Sequence, residues 1–312
     1  MRPMSESVAA TSPPAPMAFM PVGGRITAPE WEAAECAHAT RTRPWTEPAR
    51  KRRERGIAHP VLDFLFTYYH HRPSRLARWD PGYGFVVEDA EAWLANRSHY
   101  VRVPGGVTLD PQVVQRKHDV IERTHRLLAA TAARPAALGC FGMHEWAMVY
   151  RAPAGQIRHA AHPLRLGRAG TDAVVESMPL RCTHFDAFRF FTDEAEPLNE
   201  NRPTRQGMVD LEQPGCLHAN MDCYRMAYTL WPLVSSDVVA DCFDLALRIR
   251  EVDMRASPYD LSAIGYPPIR IETPAGRAEY VRRQREFAAE AGLLRHRLLD
   301  ATAALSDLLR DR

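Results

Sequence analysis

Apolar positions recur at helical spacing along much of the chain. In residues 59–71, Val61, Leu62, Leu65, Phe66 and Tyr69 share one helical face; Pro60 suits a first turn and Pro73 closes the segment. Asp110 followed by Pro111 reads as a capped helix start, and that helix is expected to run to about residue 133. Ser236 opens another helix, with Val239, Cys242, Ala246, Ile249 and Asp253 along one stripe. Thr273-Pro274 opens the last and longest, reaching Leu309. Residues 31–55 are charged and helix-prone, ending at Gly56. Tyr83 to Val87 and Tyr100 to Val103 read as short strands bounded by Gly and Pro. No repeat at solenoid periods is present. The pattern predicts a mainly α fold, a single helical domain over residues 27–312 with short irregular or β connecting segments. Residues 1–26, rich in Pro, Ala, Ser and Met without periodicity, are expected to be a disordered tail.

Composition narrows this only slightly. The 312 residues are 46% hydrophobic and 25% charged, too apolar for general disorder and long enough for a sizeable core. No run approaches the ~18 apolar residues of a membrane span. Residues 17–22 are too short, and too broken by Pro21, for a signal-peptide core. A cytoplasmic protein without membrane contact is expected. The net charge is +2, and all but two of the 40 cations are arginine, lysine standing only at Lys51 and Lys117. Such balance argues against a coat for nucleic acid, although one basic patch can hide in it. The cluster Arg50-Lys51-Arg52-Arg53-Glu54-Arg55 reads as a solvated helix end or as a phosphate-contacting patch. Six cysteines with no C-x-x-C pair read as reduced, mostly buried thiols.

Three segments within residues 139–225 are dense in chemistry. The first holds Cys140, His144, Glu145, Trp146, Tyr150 and Arg151. The second holds Arg181, Cys182, His184, Phe185, Asp186, Phe188 and Arg189; the third holds Glu212, Cys216, His218, Asp222, Tyr224 and Arg225. Simple motifs fail. His144-Glu145 lacks the second histidine of a zinc-protease helix, because position 148 is Met148. His184-x-Asp186 matches two ligands of an iron facial triad, with His218 the next histidine. There is no nucleophile elbow, no P-loop and no zinc-deaminase pattern.

Two chemistries remain open. His144, Glu145, His184, Asp186, His218 and Asp222 supply donors for a metal site, with His144, His184, Asp186 and His218 the candidate ligands of iron or zinc. His218 and Asp222, four apart, share a helix face. This reading implies a hydrolase or oxygenase acting on a small molecule. His118, Glu122 and His125 also share a face, one expected to meet solvent. The other chemistry needs no cofactor. Cleaving an N-glycosidic bond in DNA requires an extruded base stacked on aromatics and a carboxylate against the cationic sugar. Trp146, Tyr150, Phe185 and Tyr224 are candidate stacking faces, Asp222 and Asp186 candidate carboxylates, and Arg189 and Arg225 candidate phosphate contacts. His218, His184 and Glu145 complete the catalytic candidates. Taken singly, each of these histidines reads first as a hydrogen-bonded structural group and each aromatic as core packing.

Four strings carry a resemblance. They are His59-Pro60-Val61-Leu62-Asp63-Phe64-Leu65-Phe66-Thr67-Tyr68-Tyr69, His184-Phe185-Asp186-Ala187-Phe188-Arg189-Phe190-Phe191, Leu211-Glu212-Gln213-Pro214-Gly215-Cys216-Leu217-His218 and Asp253-Met254-Arg255-Ala256-Ser257-Pro258-Tyr259-Asp260-Leu261. Over nearly all of residues 28–310 the chain resembles a family of actinobacterial proteins commonly labelled 3-methyladenine DNA glycosylases. The resemblance implies a DNA partner and excision of alkylated purines as a hydrolase of DNA repair. No helix-hairpin-helix segment or evident stack of HEAT-like repeats accompanies it. No catalytic residue is therefore carried over, and Asp222 and Asp186 rest on local chemistry.

Overall fold

A computed structural model describes residues 23–310 except 154, 156 and 158–160. In chain order the elements are β1 (Gly24–Ile26), α1 (Ala28–Glu54), α2 (Phe64–Tyr68), α3 (Pro73–Leu76), β2 (Phe85–Val87), α4 (Trp93–Asn96), β3 (Tyr100–Val103) and β4 (Gly106–Leu109). There follow α5 (Gln112–Arg116), α6 (His118–Ala132), α7 (Met143–Ala147), α8 (Gly167–Ser177), α9 (Phe185–Phe188) and α10 (Met208–Leu211). The long helices α11 (Leu217–Leu230), α12 (Ser236–Ala256) and α13 (Pro274–Arg310) complete the chain. The fold is mainly helical, as the periodicity predicts.

The core forms where α11, α12, α13 and α6 pack together. Tyr224, Phe243, Ile249, Tyr280 and Leu298 meet there, all fully buried. The sequence stops and starts these helices by capping. The Ser235 hydroxyl accepts from the Val238 amide at the head of α12, and Thr273 accepts from Gly276 at the head of α13. Thr27 and Glu30 form a capping box on α1. The four strands make one small sheet in the order β1-β2-β4-β3, with β1 parallel to β2 and the other pairings antiparallel.

Several expectations change. Residues 1–22 of the expected tail lie outside the described residues, whereas its last residues, Gly24–Ile26, pair with Phe85–Val87. The helix expected from Asp110 is two, α5 and α6, because Lys117 leaves helical geometry and sends its ammonium to the Thr229 carbonyl at 2.6 Å. Of the face expected to meet solvent, His118 and Glu122 are exposed, Glu122 also accepting from Ser306 of α13 at 2.7 Å, whereas His125 is half-buried, 2.9 Å from the Thr302 hydroxyl. In the basic cluster, Arg50, Lys51 and Arg52 are paired with Glu54, Glu47 and Asp63. The cysteines are free and four are buried, as expected. No described helix is long and apolar enough to cross a membrane.

Candidate functional site

The three dense segments converge on one buried centre. Gly142, at φ +71°, turns the chain into α7 in a conformation that costs other residues about 1 kcal/mol, and Tyr280 packs against its open side. That turn delivers His144 and Glu145 to the core. The segment before His184 is clamped by Asn199, whose side chain both accepts from the Cys182 amide and donates to the Cys182 carbonyl. The approach to α11 is held by Gln213 and Gln284, which bind the Gly215 amide and carbonyl at 2.7 and 2.6 Å. Gly215 must be glycine, because a Cβ there lies 2.4 Å from the Ala137 carbonyl oxygen.

Two triads result. In the first, ligand atoms of His144, His218 and Asp253 all lie within 4.8 Å of one another, every residue buried. His144 Nε2 is 2.8 Å from Asp253 Oδ1, and the His144 and His218 rings meet edge-on at 4.4 Å. Arg250 backs this triad. Its Nη1 donates to Glu145 and Asp253 at 2.8 and 2.9 Å, and its guanidinium lies 3.8 Å from the Phe64 ring centroid. Burial works against a charged His144, but Asp253 outweighs it and raises the imidazole above its ordinary value. Burial also disfavours the Asp253 carboxylate, and here His144 outweighs it, holding the group far below the usual range. His218 differs. Burial and then neighbouring His144 push it well down, and no described residue hydrogen-bonds its nitrogens. Its downward shift favours the neutral imidazole, which offers one unprotonated nitrogen to a partner.

The second triad is His184, Glu212 and Asp222, again buried and within 4.8 Å. His184 Nε2 lies 3.2 Å from Asp222 Oδ2 and 3.5 Å from Glu212 Oε1. Tyr69 donates to Asp222 at 2.8 Å, and Arg225 donates to the same carboxylate. Burial pushes Glu212 up to about 6, with His184 working the other way. Burial lowers and the carboxylates more than restore His184, which ends above its ordinary value. Glu212 Oε1 and His184 Nδ1 make no hydrogen bond within the described residues. The triads touch through His184 and His218, 5.3 Å apart.

Two openings reach His218. One is a cavity of about 20 Å³ lined by Cys140, Cys182, Cys216, His144 and His218, with room for about one water. Burial raises all three thiols, Cys182 to about 12, so they are protonated there. The other, of about 30 Å³, is bounded by Phe64, Tyr68, Phe190, Asp186, Glu145 and Arg250.

The fates of the sequence-predicted residues differ. His144 and His218 meet in the first triad, and His184 and Asp222 in the second. His218 and Asp222 share a face of α11 yet serve different triads. His184 and Asp186 are not brought together. His184 is the extended residue before α9 and Asp186 lies in its first turn, where it pairs with Arg189 at 2.9 Å, and residues two apart do not face each other. Trp146 and Tyr224 are core rather than stacking faces. The Trp146 indole donates to the Ala256 carbonyl, and the Tyr224 hydroxyl sits 2.7 Å from His71 Nδ1. Tyr150 is buried with its hydroxyl on Glu176. Phe185 is half-buried under Arg205, and Arg225 is spent on Asp222. Asp253, Glu212 and Arg250 were not among the expected site residues. The signal for two of them was a carboxylate on the apolar stripe of α12 with an arginine three residues before it.

Comparison with protein-family models, curated proteins and solved structures returns no match for the chain.

Proposed function

We propose that the protein is a metal-dependent enzyme acting on a small molecule, its ion held by His144, His218 and Asp253. The observation that carries this is two imidazoles and a carboxylate with donor atoms within 4.8 Å, one imidazole, His218, making no hydrogen bond to a described residue. Two histidines and a carboxylate suit iron or zinc and leave coordination positions open. The ion supplies Lewis acidity, or dioxygen chemistry if it is iron. Around it, Arg250 fixes the Asp253 carboxylate, while His184 and Glu212 hold exchangeable protons beside His218. The small cavity among Phe64, Tyr68 and Phe190 reaches His218 and has room for about one water. The second triad is the poorer ligand set, because Arg225 and Tyr69 already occupy Asp222.

Plasma mass spectrometry of protein purified without chelator is expected to find about one iron or zinc per chain. His218→Gln and His144→Gln are expected to lose it while retaining the helical circular-dichroism signal. Metal-free protein that regains no ion from added iron, zinc or manganese sinks the proposal.

The base-excision reading keeps one observation in its favour, the stacked rings of Phe64 and Tyr68 beside the carboxylates of Asp186 and Glu145. It predicts release of methylated purine from duplex DNA, slowed at least about a hundredfold in Asp186→Asn. Equal rates in the two proteins reject that assignment.

A further inference from the structure

Many exposed arginines on this molecule are neutralised. Arg25, Arg41, Arg248, Arg282 and Arg297 each pair with a carboxylate. One place differs. Between α6, the loop before α10, and α11 runs an open cleft of about 530 Å³, lined by Arg123, Arg126, Arg205 and Arg225 but by no carboxylate. Arg123, Arg126 and Arg205 are exposed, and none forms an ion pair with a described residue. Arg225 enters from the floor, where its Nε is buried without a hydrogen-bond partner. The walls between the guanidinium groups are apolar, formed by Leu127, Met208 and Met226.

Like charges converging on one concavity repel one another, and Arg123, Arg126 and Arg205 do so without a carboxylate partner, Arg225 alone being paired, with Asp222. An oxyanion removes that repulsion, and guanidinium forks match its geometry. The volume and the methionine and leucine walls exceed what a bare phosphate fills. From these residues we infer that the cleft binds an organic phosphate, a small molecule whose phosphoryl group meets the arginines while its apolar part lies on Leu127, Met208 and Met226. Arg225 also holds Asp222, so a ligand seated here shares a guanidinium with the second buried triad. The inference rests on the arginines and is independent of whether the histidines hold a metal.

The test is isothermal titration calorimetry of the chelator-dialysed full chain with phenyl phosphate and with inorganic phosphate at fixed ionic strength. Saturable one-to-one binding is expected, tighter for phenyl phosphate and weakening with added salt. Loss of charge-assisted bonds in the double variant Arg123→Gln, Arg126→Gln is expected to weaken binding roughly tenfold or more. These side chains are exposed and unpaired, so the variant keeps the parent melting temperature; Arg205→Gln provides a second, separate reading. Arg282→Gln, outside the cleft, is expected to bind as the parent does. Absence of saturable binding, or binding that neither cleft variant weakens, overturns the inference. So does a duplex oligonucleotide that binds where phenyl phosphate does not, which would assign the arginines to a polyanion surface. Because the protein is stripped of metal, a negative result here leaves the metal proposal standing, and the reverse holds for the metal analysis.

Discussion

Arg250→Met is expected to lower the unfolding free energy by about 3–5 kcal/mol, the usual consequence of removing one partner from a buried charge pair. Arg250 is one of the largest fully buried side chains, and it bridges Glu145 and Asp253 from a position over the Phe64 ring. Methionine fills much of the volume but neutralises neither carboxylate. Glu145 and Asp253 are then left in a site where Coulomb attraction is the only compensation for lost hydration. His144 still pairs with Asp253, so Glu145 bears most of the loss. Adding Glu145→Gln to Arg250→Met is therefore expected to recover part of it, with a coupling of at least about 1 kcal/mol in a double-mutant cycle. Urea denaturation at pH 7 measures both quantities. A loss below about 1 kcal/mol, or strictly additive variants, would mean that water or an ion already shields these carboxylates.

The same residue shows where sequence reading stops. The helices α12 and α13 were legible because their stripes are long and their starts are marked by the capping residues Ser235 and Thr273, whereas α11, which has no side-chain cap, was not assigned. β3 matched its expected span for a similar reason, since Gly and Pro bound it. β4 was missed because Gly106–Leu109 is buried at all four positions, so it lacks the alternation by which a half-exposed strand is recognised. The break at Lys117 was invisible because the apolar positions continue across it from Val113 and Val114 to Ile121. What separates α5 from α6 there is a bond to Thr229, more than a hundred residues away.

The site was half legible. Local density of Cys, His and carboxylate marked His144, His184 and His218, and all three rings end within one cluster. Pairings were beyond reach, because Asp253 comes to His144 only through the packing of α12 against the α7 turn. Aromatic side chains were the least legible. A tryptophan such as Trp146 has the same composition whether it lines a slot or, as here, donates its indole to a carbonyl inside the core. Arg250 and Asp253 carried a usable clue, since charges placed on a helix stripe with Ile249 and Ala246 are buried, and buried charges need partners.

Between about pH 6.5 and pH 4 the protein is expected to lose stability through His71. Burial, with Arg75 a smaller influence, holds this imidazole down to about 4. It sits against Tyr224, whose hydroxyl is 2.7 Å from Nδ1, and stacks on Tyr228 with the ring planes 9° apart. In the unfolded chain the same group titrates near its ordinary 6.5. A depressed histidine is the reverse of a salt-bridged one. Below about pH 6.5 the unfolded state takes up a proton that the native state refuses, so stability falls as pH falls. The loss levels off below about pH 4, where both states are protonated, at about 3 kcal/mol for this shift. His71→Asn cannot be charged and keeps a polar atom near Tyr224, so its stability is expected to be flatter with pH across that window. The difference between the parent and His71→Asn in urea midpoint at pH 7, 5.5 and 4 isolates the effect, because Glu212 and His218 titrate in both proteins. Parallel curves would mean that His71 takes up its proton in the folded protein, at the expense of its contact with Tyr224.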